Sequence, residues 1–460
     1  MILTFLPNEL YYTISALLAG LVLFGIYLMS KVEKARFGNI VSSLAMLFAI
    51  ILTLIQYDII SVWIIYPSMA VGLLIGLYWI RNAKMIQMPQ LVALYNGFGG
   101  AASAIIASFA FMGINATEDL FSKISSLLAI TIGVITFFGS LVAAGKLHKI
   151  LPQKPIVIPK HQLVTILLLI LSLALIVLGI IDVLPSNLIL YSLIVVTTLF
   201  GIIFCIRIGG ADMPITISLL NSLSGVAGAI AGLALQDVLL VAIGGIVGAS
   251  GLILTQIMCR AMNRNLMTIL LGKTTTAKVA QIAGEERKRH SSDDPVEVLR
   301  NAKEVIIVPG YGMAIAQAQH LVKRLADVLT EKGVKVKYAV HPVAGRMPGH
   351  MNVLLSEANV DYDDLYEMDA INDEFKNVDA TIVVGANDVL NPAARNMEGT
   401  PIYGMPILNV DECKHIIVFN YDLKPGYAGV ENPIYDRDEG LSLILGNAAD
   451  TLAEFIEKIK

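Results

Sequence analysis

The sequence predicts an all-α membrane bundle of nine transmembrane helices followed by an α/β Rossmann-like parallel-sheet domain. Three observations predict it. The chain is 56% hydrophobic with a mean hydropathy of +0.70, above what a water-soluble globular chain carries. Its charge is divided: residues 1–272 hold 13 Lys+Arg against 8 Asp+Glu, and residues 273–460 hold 20 against 29. From residue 304 onward, short apolar runs alternate with amphipathic stretches, the pattern of a doubly wound sheet. The boundaries read from this are a membrane domain over 1–272, a linker over 273–299 and a sheet domain over 300–460.

A bilayer core of about 30 Å needs roughly 20 apolar residues per helix. Stretches at 9–29, 39–55, 57–80, 90–113, 122–145, 162–181, 186–206, 213–234 and 236–262 meet or approach that length. Basic residues cluster after the odd-numbered spans: Lys31, Lys34 and Arg36; Arg81 and Lys84; Lys146, Lys149, Lys154 and Lys160; Arg207; Arg260 and Arg264. The loops after even-numbered spans offer only Lys123, beside Glu118 and Asp119. The positive-inside bias then sets the N-terminus outside and the C-terminal domain in the cytoplasm, in a multi-pass protein of the cytoplasmic (inner) membrane. No cleavable signal peptide is expected, because no basic residue precedes the first apolar run.

Within the bundle, no Lys, Asp or Glu falls near mid-bilayer, and all seven histidines fall outside the expected spans. The polar residues that remain are Asn96 and Asn221 inside spans and Asp212 at the cytoplasmic mouth of span eight. An intramembrane asparagine serves either as an interhelical hydrogen-bonder or as a stop on a proton path, and both readings stay open. Glycines over 225–232 and 244–251 let helices approach closely. Cys205, Cys259 and Cys413 have no paired spacing, so neither a disulfide frame nor a metal site is expected. The acidic second half argues against nucleic acid as a partner.

In the second half, "EVIIVPG" (304–310), "VKVKYAV" (334–340), "ATIVVGAND" (380–388) and "HIIVFNYD" (415–422) read as strands. Residues 313–333 have helical periodicity, with Gly333 suited to end a helix. The acidic run 361–374 reads as a solvated face. Gly310-Tyr311-Gly312-Met313-Ala314 joins the first strand to the first helix. There Gly310 permits a tight turn and Gly312 a close backbone approach to a pyrophosphate. The second strand ends in His341 rather than an acid for a ribose. No side-chain catalyst is expected, and His341 and His350 read as satisfied loop histidines.

Longer strings carry a specific resemblance: "PGYGMAIAQAQ" (309–319), "HPVAGRMPGHMNVLL" (341–355), "GANDVLNPAA" (385–394) and "GYAGVENP" (426–433). With "GGADMP" (209–214), "LNSLSG" (220–225) and "IMCRAMNR" (257–264), the chain resembles the β subunit of proton-translocating NAD(P) transhydrogenase over nearly its whole length. The resemblance implies NADP(H) bound to this chain and NAD(H) on a separate α subunit, in a dimer of α–β heteromers. It implies hydride transfer coupled to proton movement, with Asn96, Asp212 and Asn221 on the proton path. A nucleotide-gated transporter or channel with a non-catalytic Rossmann sensor is the alternative.

Carried over residue by residue, Gly310, Tyr311, Gly312, Met313 and Ala314 would face the nucleotide phosphates. Val343, Ala344, Gly345 and Arg346 would line the second turn. Gly385, Ala386, Asn387 and Asp388 would approach the nicotinamide side, and Gly426, Tyr427, Ala428 and Gly429 would form a lid. Where the family has Lys-Arg-Ser grasping the 2′-phosphate, this chain reads Asn420-Tyr421-Asp422, followed by Lys424. A carboxylate there would repel that phosphate and suit ribose hydroxyls, which weakens the expected preference for NADP over NAD. Asn96 stands where some family members have histidine, so a titratable relay is not expected at that position.

Overall fold

The structure is a computed structural model that describes residues 6–30, 32–57, 62–83, 87–113, 119–152, 155–209, 212–262, 265–270, 294–345, 349–426 and 428–460. It divides into two compact units, Met1–Gly209 with Thr216–Thr255, and Gly210–Ile215 with Gln256–Lys460. Most of the linker expected over 273–299 lies outside the described residues.

The helical part runs α1 (Asn8–Met29), α2 (Val32–Gln56), α3 (Ile65–Asn82), α4 (Met88–Phe111), α5 (Leu120–Leu147), α6 (His161–Ile180), α7 (Ser186–Ile206), α8 (Met213–Leu235) and α9 (Val238–Ala261). Eight of these are long and apolar enough to cross a membrane. The exception is α3, the third expected span. At 18 residues it leaves no room to exclude Arg81 and Asn82 from a spanning window, and none of its residues is buried in the chain. Nine spans were expected, and eight are supported.

Small residues bring the other helices together. A Cβ on Gly225 would lie 2.4 Å from the Gly248 nitrogen, and one on Gly244 2.4 Å from the Ala229 nitrogen, so α8 and α9 meet backbone to backbone, as the glycine runs predict. Similarly, a Cβ on Gly133 of α5 would fall 2.5 Å from the Gly100 carbonyl of α4. An apolar core of α4, α5, α6 and α7 residues, among them Leu127, Ile130, Ile189 and Leu193, surrounds that contact.

After α10 (Leu266–Leu270), the described chain resumes at Asp294, whose carboxylate caps α11 (Pro295–Asn301) by accepting the Val296 N–H. Leu299 of α11 is fully buried in the core of the sheet domain, so the folded structure reaches back before residue 300. The domain continues with β1 (Glu304–Pro309), α12 (Tyr311–Ala316), α13 (Gln319–Glu331), β2 (Lys335–Val340), α14 (His350–Glu357), β3 (Leu365–Glu367), α15 (Met368–Ile371), β4 (Ala380–Val384), α16 (Ala393–Asn396), β5 (His415–Asn420), β6 (Leu441–Leu445) and α17 (Ala448–Ile459). All six strands are parallel, in the order β3-β2-β1-β4-β5-β6. That is the Rossmann-like order. Strands β1, β4 and β5 are nearly all buried, as runs covered on both faces must be.

Two expectations are refined here. The single helix read over 313–333 is two, because Gln317 turns left-handed (φ 53°) and ends α12. Gly333 does end α13: at φ 85° it sends its N–H to Thr330 while Val334 bonds back to Leu329, a Schellman closure. The acidic run 361–374 is not simply a solvated face. It contains β3 and α15, whose Met368 and Ile371 enter the second core layer.

Candidate functional site

The connections part company at the carboxyl ends of β1 and β4. After β1 the chain turns at Gly310 into α12, whose Met313 and Ala314 are buried on the face formed with α13, α14 and α17. After β4 it turns at Gly385 toward the opposite face, where Ala386 and Leu390 are buried. Such a switch point opens a crevice at the carboxyl edge of a parallel sheet, where ligands of doubly wound folds bind.

The two turns are interlocked. Gly310 donates its N–H to the Val384 carbonyl at 2.8 Å, and Gly312 donates to the Gly385 carbonyl at 2.8 Å. A Cβ on Gly310 would lie 2.3 Å from the Gly385 oxygen, and one on Gly385 would lie 2.3 Å from the Met313 nitrogen. Gly385 also sits at φ 68°, where an L side chain is strained. The close approach that Gly312 permits is therefore to Gly385, and its N–H is engaged within the protein.

A strap covers the β4 turn. Asn387 donates from Nδ2 to the Lys424 carbonyl at 3.0 Å and accepts from Asn432 Nδ2 at 3.0 Å. The Asp388 carboxylate accepts the Ala428 N–H at 3.1 Å. Gly426 lies so close that a Cβ there would sit 2.5 Å from the same carboxylate. Asn391 donates to the Glu431 carbonyl at 3.1 Å. Asn420, ending β5, donates to the Ala386 carbonyl at 3.2 Å and to the Tyr435 hydroxyl oxygen at 2.8 Å, so it is a structural tie beneath the crevice. The structure thus joins the expected segments 310–314, 385–388, 420 and 426–429 at one sheet edge. Arg346 and Tyr427 lie outside the described residues.

Beyond Asn420, Tyr421 is 79% exposed. Asp422 accepts the Lys424 N–H at 3.1 Å, and its other oxygen is 3.5 Å from the Lys424 ammonium. Both side chains are solvated, so the pair tempers the Asp422 charge without removing it.

At the end of β2, His341 is buried, and burial pushes its imidazole down to about 4. Val343 donates its N–H to Nδ1 at 3.3 Å, which makes Nε2 the protonated nitrogen that donates to the Pro406 carbonyl at 2.8 Å. The histidine is therefore a neutral brace. Ala344 is buried beside it, Val343 is half-buried, and Gly345 adopts φ 102° with a Cβ position 2.3 Å from His350 Nδ1. The His350 ring lies 6.4 Å from that of Tyr311, so the second turn reaches the first through this pair.

These groups suit a dinucleotide. Glycine turns bring the two backbones together without side chains between them, and the rim carries asparagine amides, carboxylates and the exposed Lys424. Such donors and acceptors match ribose hydroxyls, a carboxamide and phosphate.

In the helical unit, Asn96 is buried and donates from Nδ2 to the Ile217 carbonyl of α8 at 3.4 Å. That carbonyl is one helical turn before Asn221, so Asn96 on α4 meets α8 one turn ahead of the second expected asparagine. A seam of hydroxyls continues between α8 and α9: Ser222 donates to the Gly248 carbonyl at 2.7 Å, and Thr255 to Ser218 at 3.0 Å. Asp212, before α8, is buried.

Several polar residues escaped sequence reasoning. Lys146, expected in a loop, is 1% exposed inside α5, where it donates to the Ile206 carbonyl and, at 2.8 Å, to that of Ile208 at the C-terminal end of α7. A cation there meets the negative end of the helix dipole. His161 is not outside the spans but opens α6, buried with Nε2 3.0 Å from the Ile203 carbonyl. Tyr11 and Asp237 also pair within the bundle. Loop assignment from charge alone could not find them, because backbone carbonyls partner Lys146 and His161, and residues far apart in the sequence partner Tyr11 and Asp237.

Apolar helices followed by a parallel sheet in dinucleotide-fold order, with interlocked glycine turns at its switch point, define a membrane-helix protein of the nucleotide-binding α/β class. The model of the family described as NAD(P) transhydrogenase beta subunit matches residues 9–458. The NAD(P) transhydrogenase subunit beta of Rhodospirillum rubrum is 40% identical over 460 residues, covering 97% of this chain and 98% of its own length. A second protein of that name, from a specified strain of the same species, matches to the same extent. The chain belongs to the NAD(P) transhydrogenase beta subunit family, an oxidoreductase family. That membership weighs against the reading as a sensor-gated transporter.

Proposed function

We propose that this chain binds NADP(H) in the crevice between the β1 and β4 turns and exchanges hydride with NAD(H) held by a separate α subunit. The exchange is coupled to proton movement through the helices, in a complex of two α–β pairs in the cytoplasmic membrane. The observation that carries the reading is the meeting of the Gly310–Gly312 and Gly385 turns at the switch point, in a chain whose other half is apolar helices. Residues 310–314, 343–346 and 385–388 would hold the dinucleotide, with Asn420 beneath it and Tyr421, Asp422, Lys424 and 426–429 closing over it. The dinucleotide supplies the hydride acceptor. The protein's part is to hold the two nicotinamides within about 3–3.5 Å and exclude water, which needs no side-chain base.

Coupling is energetically sensible. One charge crossing about 100 mV releases roughly 2.3 kcal/mol, close to a fiftyfold shift in product ratio at about 1.4 kcal/mol per decade. To use it, protonation near Asp212, Asn221 and Asn96 must alter nucleotide affinity, and nucleotide state must alter proton affinity in return. The test is hydride exchange between NADH and an NADP analogue by the chain and its α partner in liposomes. A rate and final balance indifferent to an imposed pH gradient would overturn the coupled reading.

A further inference from the structure

One buried acid in the helical unit, Asp237, stands apart in sequence from Asn96, Asp212 and Asn221. Asp237 stands between α8 and α9, 6% exposed, and the Tyr11 hydroxyl of α1 donates to its Oδ1 at 3.0 Å. The same oxygen accepts the Leu240 N–H at 3.0 Å, in the first turn of α9. Tyr57, just after α2, completes the group: its ring meets that of Tyr11 edge-on at 6.4 Å, and its hydroxyl interacts with both Tyr11 and Asp237. Tyr12, 5.8 Å from Tyr11, is the next titratable neighbour. Among the described residues no cation pairs with Asp237. Beside Tyr57 in the chain, Gln56 is 2% exposed, and among the described residues its Oε1 has no hydrogen-bond partner, so a second buried acceptor adjoins the cluster in sequence.

Capping α9 does not account for this arrangement. A cap needs one acceptor for one N–H, and a solvated Asn or Ser supplies it. Burying a carboxylate among α1, α2 and α9, with tyrosine hydroxyls in place of a cation, is costly while it stays ionised. An ionisable group in that setting marks a proton or ion pathway. Asp212 precedes α8 and Asp237 follows it, so one helix that carries Asn221 has a buried acid at each end of its sequence.

We propose that Asp237, with the Tyr11 and Tyr57 hydroxyls, is the protonation site by which the translocated proton enters or leaves the bundle on the side opposite the loops rich in Lys and Arg. It rests on the proton-coupled reading above. The step is a simple transfer: an O–H bond forms on the Asp237 carboxylate as a bond in hydronium breaks, and reverses on release, with no change of oxidation state. Tyr11 and Leu240 share Oδ1 of that carboxylate.

The complete complex with its α partner, in liposomes holding a pH-sensitive dye, tests this. Asp237→Asn keeps an Oδ1 acceptor for Tyr11 and Leu240 but carries no proton. The rate of proton movement should fall by about a hundredfold or more, the range of a lost proton-transfer group. NADP affinity should stay within about twofold of wild type, since every group beneath the nucleotide is intact. Wild-type proton movement in Asp237→Asn would reduce the residue to a helix cap. Should that variant fail to assemble, Tyr11→Phe with Tyr57→Phe keeps the carboxylate; slowed proton movement supports the proposal and wild-type movement overturns it. A wild-type complex indifferent to the gradient would remove the coupled reading itself, and this site with it.

Discussion

The Gly312 N–H donates to the Gly385 carbonyl at 2.8 Å, so the turn that leaves the first strand is locked to the turn that leaves the fourth. The contact spans the switch point of the sheet. A change on either side is therefore felt on both.

Gly385→Ala should be among the most damaging single substitutions in the domain. Its methyl would fall 2.3 Å from the Met313 nitrogen at a backbone angle suited to glycine. A loss of about 2–4 kcal/mol in the excised domain follows from overpacking plus strain. Urea unfolding of residues 285–460 measures it; a loss within experimental error would contradict the interlock.

Removing the Asp388 carboxylate should loosen the strap. Asp388→Ala leaves the Ala428 N–H without its acceptor. A cost of about 1–3 kcal/mol is typical of such a group, and it should appear as NADP affinity weakened by about tenfold, mostly through faster release. Stopped-flow nucleotide release reads this, and an unchanged off-rate would detach the strap from binding.

The Asp422 carboxylate should govern cofactor preference. A charge at about 4 Å from a phosphate costs roughly 4 kcal/mol at an effective dielectric near 20, and exposure and Lys424 reduce that severalfold. Asp422→Ser should therefore favour NADP over NAD by about tenfold relative to the parent. Isothermal titration with both nucleotides decides it; a clear preference for NADP in the unaltered domain ends the idea of relaxed specificity.

Acid should destabilise the domain through His341. Burial lowers its folded-state pKa to about 4, below the unfolded value of about 6.5. Its contribution is fully present above the unfolded value and is lost as pH falls through the interval to the folded one, by about 3 kcal/mol at most. His341→Gln, which has no titrating group, should flatten the fall between about pH 6.5 and 4 in urea midpoints. A mutant that declines as steeply as the parent would assign the loss to other groups.

Asp212→Asn should block or uncouple turnover in vesicles while spectroscopic NADP binding survives. The acid stands buried ahead of α8, apart in sequence from every residue assigned to the nucleotide. Unchanged proton pumping would remove it from the path.

Much of this is legible in the sequence. Apolar length marks the eight supported spans, short apolar runs mark β1, β2, β4 and β5, and helical periodicity ending in Gly333 marks the α13 terminus. Strands β3 and β6 were missed: β3 has three residues inside an acidic run, and neither has a long apolar signature. The third expected span is not supported by its described helix, which includes Arg81 and Asn82.

Residue order alone determined the division into membrane and sheet halves, the glycine turn after β1 and the family, since these depend on composition, local periodicity and contiguous motifs. Only the tertiary structure decided that Gly312 serves Gly385, that Lys146 and His161 rest on carbonyls of α7, and that Tyr11 reaches Asp237 across 226 positions. Those partners are backbone groups or distant side chains. They are selected by packing geometry, which no local pattern in the chain encodes.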